Sequence, residues 1–304
     1  MIEYIKHKDI DRIKWDAAID RALNRNLYAY TWYLDLVCAG WDALIEDDYV
    51  SVMPVTKGRR FFFNYVYQPM FTQQLGVFSE REITQSLVNS FLKLLAKKFN
   101  YIELNLNYSN LYVYEGFTYK EMSNYELNLD RSFLEIRGGY KQNNRWQVKQ
   151  LQLCNLTIEK TKDVHTTIDM FRKTKGHIYT NLKTKNYSTL KYIATSLLEL
   201  NKAEVWHVKD ENGAILVGAF FFKIEDRIVF SFSGRTEEAR EKKIMYFLCD
   251  KVLEEFSNKK ITFDFAGSND KGVAGFYRSF GAKEKRYLRI TRNNLPFYIK
   301  WLKR

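Results

Sequence analysis

The sequence predicts an α/β (α+β) protein made of two similar units in tandem, each a mixed, mostly antiparallel sheet flanked by helices. Short stretches with a period of two alternate with longer stretches of helical periodicity, and this order occurs twice in the 304 residues. A predicted strand begins at Tyr101 and another at Ile261, 160 residues later, while Tyr114 precedes Tyr277 by 163. This near-constant offset indicates a duplication, and we expect domains at residues 1–130 and 131–304.

The first pass is assigned from apolar spacing and turn residues. Helices are predicted at residues 10–23, 28–36 and 80–99, and strands at 41–45, 49–55, 61–66, 101–106 and 125–129. Residues 131–152 are predicted to form a linker with a short boundary helix at 132–136. The linker leads into a predicted strand at 154–159.

The second pass repeats this order. Strands are predicted at residues 205–209, 214–222, 227–232, 261–266 and 287–290, and helices at 240–256 and 273–280. Asn212-Gly213 predicts a hairpin between the first two of these strands, because both residues tolerate a positive φ. Gly281 is expected to end the short helix for the same reason.

Composition limits the protein class. The chain is 46% hydrophobic and 16% aromatic, enough for two buried cores. Acidic residues in the first thirty positions argue against a signal peptide, and the longest apolar run, 214–222, is too short to span a bilayer. Three distant cysteines predict a reduced, cytoplasmic protein without disulfides, and no histidines or cysteines show metal-ligand spacing.

The positive charge lies mostly in the second half. Residues 1–150 carry a net charge of +1 and residues 151–304 carry +11, giving +12 in total. Such an excess raises the local concentration of anionic partners, among them nucleotide cofactors, tRNA and anionic lipids, although solubility alone is an equal explanation.

Residues 261–290 resemble a known superfamily. The run Gly275-Phe276-Tyr277-Arg278-Ser279-Phe280-Gly281, ahead of a final strand, is similar to the closing helix of GNAT acyltransferases. Together with Phe263-Asp264-Phe265-Ala266-Gly267-Ser268, it looks more specifically like the Fem-type branch, whose tandem GNAT-like proteins include peptidyltransferases. Many Fem-type enzymes have Phe-Lys where this chain has Phe276-Tyr277, a departure towards ordinary GNATs.

The resemblance implies acyl transfer from a thioester donor, acyl-CoA, to an amine of an anionic sugar, peptide or lipid-linked acceptor. Two alternatives remain open. The first is a peptidyltransferase that takes its acyl group from aminoacyl-tRNA, and the second is a binding protein that has kept the scaffold without the chemistry.

The resemblance also implies a position for the donor. In GNATs the cofactor's pyrophosphate lies on backbone amides at the start of the helix after the fourth strand. The corresponding segment here supplies the candidate donor-binding residues Ser233, Gly234, Arg235 and Arg240. Glu237 and Glu238 would repel a pyrophosphate, and only one glycine is present. Residues 72–79 occupy the same place in the first pass.

Two residues are candidate catalysts. The resemblance gives Tyr277 the role of protonating the leaving thiolate, while its helical position also suits a packed aromatic. Asp264, near the end of its strand, could orient or deprotonate an amine, or could face solvent or cap the next loop.

Four residues are candidate substrate-binding groups. Gly267, Ser268 and Asn269 follow the strand that carries Asp264, and turn formation alone also explains them. His207 could serve as a base if it lined the cleft, although a lone histidine is more often structural.

Two basic segments remain. The lysines, arginine and tyrosines between Arg172 and Tyr192 suit phosphate contacts with base stacking, or else form a solvated helix face. The tail from Pro296 to Arg304 offers peripheral membrane contact, with docking on the second domain as the simpler alternative.

Overall fold

The computed structural model describes residues 1–60, 63–179 and 182–296. The chain forms two compact units. Unit 1 comprises Met1–Met122 and the chain from Arg286 onward, and unit 2 comprises Ser123–Lys285. Each unit contains a mixed sheet with helices, which confirms the predicted fold class. The division after residue 130 stays a prediction.

Unit 1 contains three helices and two groups of paired strands within the described residues. The helices are α1 (Arg12–Arg21), α2 (Thr31–Val37) and α3 (Gln85–Lys98). The strands are β1 (Ile2–Ile5), β2 (Asp42–Glu46), β3 (Ser51–Val55), β4 (Lys57–Arg60), β5 (Phe63–Val66), β6 (Phe78–Ser79) and β7 (Tyr101–Asn105). The order β1-β2-β3-β6 is antiparallel, and β5 pairs parallel with β7.

Two long strands belong to both units. They are β8 (Thr118–Asn128) and β14 (Lys283–Asn293). β8 begins in unit 1 and ends in unit 2, where it pairs with a strand of that unit. β14 begins in unit 2 and ends in unit 1, where it pairs antiparallel with β7.

Unit 2 has its strands in the order β8-β13-β12-β11-β10-β9. The strands after β8 are β9 (Thr157–Thr161), β10 (Ala203–Lys209), β11 (Ile215–Ile224), β12 (Arg227–Arg235) and β13 (Thr262–Asp264). The helices are α4 (Phe133–Gly138), α5 (Gln142–Gln152), α6 (Val164–Lys175), α7 (Thr184–Glu199), α8 (Glu237–Glu241), α9 (Met245–Phe256) and α10 (Lys271–Ser279). Neighbouring strands are antiparallel except β12 and β13, which are parallel.

Several predicted elements are confirmed. The hairpin at Asn212-Gly213 joins β10 to β11, with Gly213 at φ +80°. Gly281, at φ +81°, follows α10 as predicted. Helix α3 begins at Gln85 rather than residue 80, because the Thr84 side chain accepts the Leu87 N–H and caps the helix there.

Other predictions were wrong. The linker at 131–152 contains helix α5, which buries Asn144, Val148 and Leu151. The helix predicted at 240–256 is divided into α8 and α9, because Lys243 between them has φ +58°. The strand predicted at 61–66 is, by contrast, confirmed over its described part as β5, and Phe61 and Phe62 lie outside the described residues.

Candidate active site in unit 2

The parallel strands β12 and β13 separate near the middle of the sheet. They pair at only three positions, ending at Val229 opposite Asp264, while β12 continues to Arg235. After Asp264 the chain turns towards β8, where the Phe265 N–H donates to the Tyr125 carbonyl. In the described part of unit 2, no strand pairs with β12 beyond Val229 on that side. Beyond Val229, this edge of β12 is therefore unpaired among the described residues, and we call the gap between the two strands the opening.

A β-bulge lies on β12 next to this opening. Phe220 pairs with Phe232 and Phe221 with Phe230, so Ser231 is an extra residue in β12. A bulge re-aims side chains and leaves backbone groups outside the ladder, and bulges are frequent beside active sites. Ser231 therefore joins the candidate site, although no local sequence signal pointed to it.

Tyr277 lies on α10 and packs against the chain that follows β13. Its ring packs 4.8 Å from the Phe265 ring and 5.9 Å from the Tyr125 ring. Burial raises the pKa of Tyr277 above its ordinary value, and Cys249, Asp264 and Tyr179 act in the same direction. The structure shows no hydrogen bond from its hydroxyl within the described residues, so the phenol is a protonated donor without a protein acceptor.

Asp264 is buried in a charged cluster. Arg227 Nη1 donates to Asp264 Oδ2 and to Glu126 Oε1, both at 2.8 Å, and Ala266 N–H donates to Asp264 Oδ1 at 2.8 Å. Asp264 is 2% exposed, and burial raises its pKa while Arg227 opposes that shift. These bonds occupy the carboxylate that the sequence proposed as a base, and its catalytic role stays a prediction.

Three cations lie near the end of β12. Arg235 is half-buried, and burial lowers its pKa, with the neighbouring Arg240 acting in the same direction. Burial also lowers the pKa of Lys175, at the end of α6, and Arg235 adds to that shift. Arg240 is paired with Glu237 at 2.6 Å, whereas Arg235 and Lys175 form no ion pair with the described residues. Arg235 and Lys175 are therefore candidate ligands for an anion, although Glu237 acts on both and opposes their pKa shifts.

Helix α8 is poorly suited to the pyrophosphate site that the resemblance implies. It is five residues long and has Glu237 and Glu238 in its first turn. An anion here would have to be held by side chains, for which Arg235 and Lys175 are the candidates.

Gly234 is covered by helix α6. A Cβ at Gly234 would collide with the Thr167 carbonyl oxygen and stand 2.9 Å from the Phe171 nitrogen. Gly218, paired with Gly234 across β11 and β12, lies under the Thr167 side chain in the same way. The absence of side chains at Gly218 and Gly234 thus allows α6 to pack closely on the sheet. Close packing therefore explains the glycine at position 234 without the predicted contact to the donor. The neighbouring Ser233 is half-buried.

His207 lies beneath the same helix. It is 1% exposed, and its Nε2 is 3.1 Å from Thr167 Oγ1. Burial lowers the pKa of His207, with Asp163 and Glu159 opposing. The neutral imidazole therefore fixes α6 to the sheet, and the structure does not bring it together with Tyr277.

The loop after β13 is held by its own polar groups. Gly267 has φ +62°, Ser268 Oγ accepts the Asp270 N–H at 3.0 Å, and Asn269 Oδ1 accepts the Ser123 N–H at 3.0 Å. Asp270 caps α10 by accepting the Val273 N–H. These contacts place the loop beside α10, and its substrate-binding role stays a prediction.

The corresponding place in unit 1 is filled. Leu75 forms a parallel bridge to Leu106, and its N–H donates to the Asn105 carbonyl at 2.8 Å. Buried Asn107 and Asn110 bond the same loop, and Asn110 Oδ1 accepts the Val77 N–H at 2.8 Å. The Leu75 and Val77 N–H groups therefore already have protein acceptors and are not available to a phosphate.

Unit 1 also lacks a described counterpart of α10. Tyr114 lies in a loop, 2% exposed, and its hydroxyl donates to the Asn110 carbonyl at 3.1 Å. The predicted correspondence between Tyr114 and Tyr277 therefore holds only for their spacing in the sequence. Among the described residues, only Tyr277 of this pair lies on a helix.

The described part of the chain shows neither a metal cluster nor a membrane-spanning helix. Within the described ranges, no group of three or more histidine, cysteine or acidic side chains has metal-binding geometry. None of the described helices has the length and apolar character needed to cross a membrane.

This architecture defines a two-unit α/β protein. The separation between strands is unpaired in unit 2, and the loop around Leu75 fills the corresponding place in unit 1. No protein-family model matches the chain, and no curated protein matches it. Several solved structures do match. The crystal structure of FemX superposes with a TM-score of 0.66 at 14% identity, covering 94% of this chain and 96% of that chain.

Two further solved structures have a similar fold. A conserved protein of unknown function from Bacteroides thetaiotaomicron gives a TM-score of 0.60 at 12% identity, covering 96% of this chain and 100% of that one. The C-terminal domain of a putative lysylphosphatidylglycerol synthetase from Agrobacterium fabrum gives 0.55 at 13%, covering 94% and 95%. These similarities establish the Fem-like fold that the sequence predicted.

Proposed function

We propose that the chain is an acyltransferase whose reaction takes place at the opening between β12 and β13 of unit 2. The observation that carries the proposal is Tyr277, a protonated phenol without a hydrogen-bond acceptor among the described residues, which packs on Phe265 directly after the last paired residue of β13. Acyl transfer to an amine needs a proton donor for the leaving group and fixed donors for the oxyanion. Tyr277 supplies the first, and the unpaired edge of β12 around Ser231 supplies backbone N–H groups for the second.

The proposed donor is an acyl-CoA thioester, and the acceptor is an amine of an anionic sugar, peptide or lipid-linked molecule. Arg235 and Lys175 would hold a donor phosphate. The similarity to FemX and to a putative lysylphosphatidylglycerol synthetase, whose name states an aminoacylated lipid product, supports transfer of an acyl or aminoacyl group.

Aminoacyl-tRNA is the second candidate donor. The sequence has six lysines and arginines and no acid between Asp169 and Glu199, and Arg172, Lys173, Lys183, Lys185 and Lys191 are exposed. A surface of this charge suits a phosphate backbone, whose binding weakens steeply with salt.

Tyr277→Phe is expected to lower kcat by about 100-fold or more, the usual contribution of general acid catalysis. Thermal stability should change little, because the hydroxyl has no hydrogen-bond partner to lose among the described residues. Turnover is measured as thiol release from acetyl-CoA and a long-chain acyl-CoA with a panel of amines, and as deacylation of aminoacyl-tRNA. A Cys154→Ser background removes the exposed thiol that would react with the assay reagent.

Tyr246→Phe is the matched control. The Tyr246 ring packs 4.8 Å from the ring of Phe276, which lies on the same helix as Tyr277. Equal losses in both variants, or full turnover in Tyr277→Phe, would remove Tyr277 from the mechanism. Ligand binding by the parent protein without transfer from any donor would favour a non-catalytic binding protein.

Arg235→Gln is expected to raise the KM for the donor about tenfold, the order of one charge-assisted hydrogen bond, with a smaller change in kcat. Lys251→Gln serves as control, because Lys251 is partly exposed and is already paired with Glu254 at 2.7 Å. If KM is the same in both variants, the donor phosphate lies elsewhere. A steep dependence of KM on salt would identify tRNA rather than coenzyme A.

A further inference from the structure

Unit 1 contains a concave pocket of about 450 Å³ that the proposed transferase site does not use. It lies between the C-terminal half of α3, residues 114–117 and the end of β14. Its lining includes the cations Lys93, Lys97 and Arg292 and a single acid, Glu115. Within the described residues none of the three cations has a carboxylate at ion-pair distance. The pocket therefore has an excess of positive charge.

Arg292 is fixed at the wall of this pocket. Its Nη1 donates to the Gly116 carbonyl at 3.3 Å, and its guanidinium lies 5.9 Å from the Phe117 ring. Gly116 has φ +78°, and a Cβ there would stand 2.7 Å from Arg292 Nη1. The buried Nε of Arg292 has no partner among the described residues. A buried donor without an acceptor needs an explanation, and so does a cation held without a counter-charge.

Lys93 and Lys97 stand four residues apart on α3, so they share one helix face. Like charges at this spacing repel each other, and an anion between them and Arg292 would remove the repulsion. The apolar part of the lining is Leu92, Ala96 and Phe117. The volume lies in the range of small-molecule sites, about 300–1,000 Å³.

The geometry points to a binding site for an organic phosphate in this pocket of unit 1. Arg292, Lys93 and Lys97 contact the phosphate oxygens, and Leu92, Ala96 and Phe117 contact the organic part. The phosphate belongs either to a free phosphate ester or to a lipid headgroup, since both present the same oxygens.

The test uses the full chain carrying Arg235→Gln, so that the proposed donor site of unit 2 does not contribute. Calorimetric titration with ADP and with pyrophosphate measures binding of free phosphates, and flotation with phosphatidylglycerol vesicles measures binding of a lipid headgroup. Adding Lys93→Gln and Lys97→Gln is expected to weaken binding at least tenfold. Both side chains are exposed, so their loss leaves folding intact.

Lys98→Gln is the control on the same helix. Lys98 lies over the Tyr4 ring at 4.6 Å and does not line the pocket, but it contributes the same charge to the surface. Binding of ADP that depends on Lys93 and Lys97 but not on Lys98 supports a free ester, and the same dependence with vesicles alone supports a lipid. Equal loss in the control, or no binding in either arm, overturns the proposal.

Discussion

Replacing Arg227 with methionine is expected to lower the free energy of unfolding by about 3–5 kcal/mol near pH 8, the usual cost of removing one partner from a buried ion pair. The guanidinium is the shared donor to Asp264 and Glu126, and the three side chains are 11%, 3% and 12% exposed. Without it, two carboxylates remain in a poorly solvated site.

The loss in Arg227→Met should be smaller near pH 5. Burial already raises the pKa of Asp264, and removal of Arg227 takes away the charge that opposes this shift. A carboxyl group with a raised folded-state pKa binds its proton more tightly when folded. The stabilisation that this tighter proton binding gives the folded protein is therefore complete below the unfolded-state pKa of about 3.9. It is lost as the pH rises through the folded-state pKa.

Urea denaturation at pH 5 and pH 8 measures both values. Arg286→Met is the control, because Arg286 forms an exposed pair with Glu121 at 3.2 Å and such pairs contribute little. A destabilisation by Arg227→Met that is equal at the two pH values would show that the carboxylates do not take up the proton.

Gly234→Ala is expected to destabilise the protein by about 3 kcal/mol, the upper part of the range for overpacking. The added methyl group would meet the Thr167 carbonyl and the Phe171 nitrogen, and backbone atoms of a helix cannot move aside as a side chain can. Helix α6 would have to shift from the sheet, which would also move Lys175 at its end.

Gly138→Ala provides the comparison. Gly138 ends α4, and a methyl group added there would have no heavy atom within 4 Å, so alanine should be neutral or stabilise the helix by up to about 1 kcal/mol. Free energies of unfolding from denaturant titration measure both variants. An unchanged value for Gly234→Ala would mean that α6 is not seated on the glycine pair.

Several strands and one helix face of unit 2 were predictable because their signals are local. The alternation before Gly267, the Asn212-Gly213 turn and the apolar face of α9 each lie within one short segment. Apolar spacing alone did not predict helix α5, because its buried residues include Asn144, and only Val148 and Leu151 mark its apolar side. Local pattern cannot show that a polar residue is buried by a distant partner.

The candidate site was predictable only in part. Tyr277 and Arg235 could be chosen from their position in a resembling segment. The strand separation after Asp264, the bulge at Ser231 and the approach of Lys175 depend on register and packing between segments far apart in the chain. For the same reason the burial of His207 under α6 could not be read from its own strand.

The membership of β14 in both units sets an order for biosynthesis. Unit 2 is a continuous segment that is complete once Lys285 has been translated, whereas the sheet of unit 1 lacks the partner of β7 until residues 289–293 have left the ribosome. The unit that is translated first is therefore completed last. Until residues 289–293 have emerged, the edge of β7 that pairs with β14 is unpaired. Such an edge is the kind of surface that recruits chaperones or aggregates.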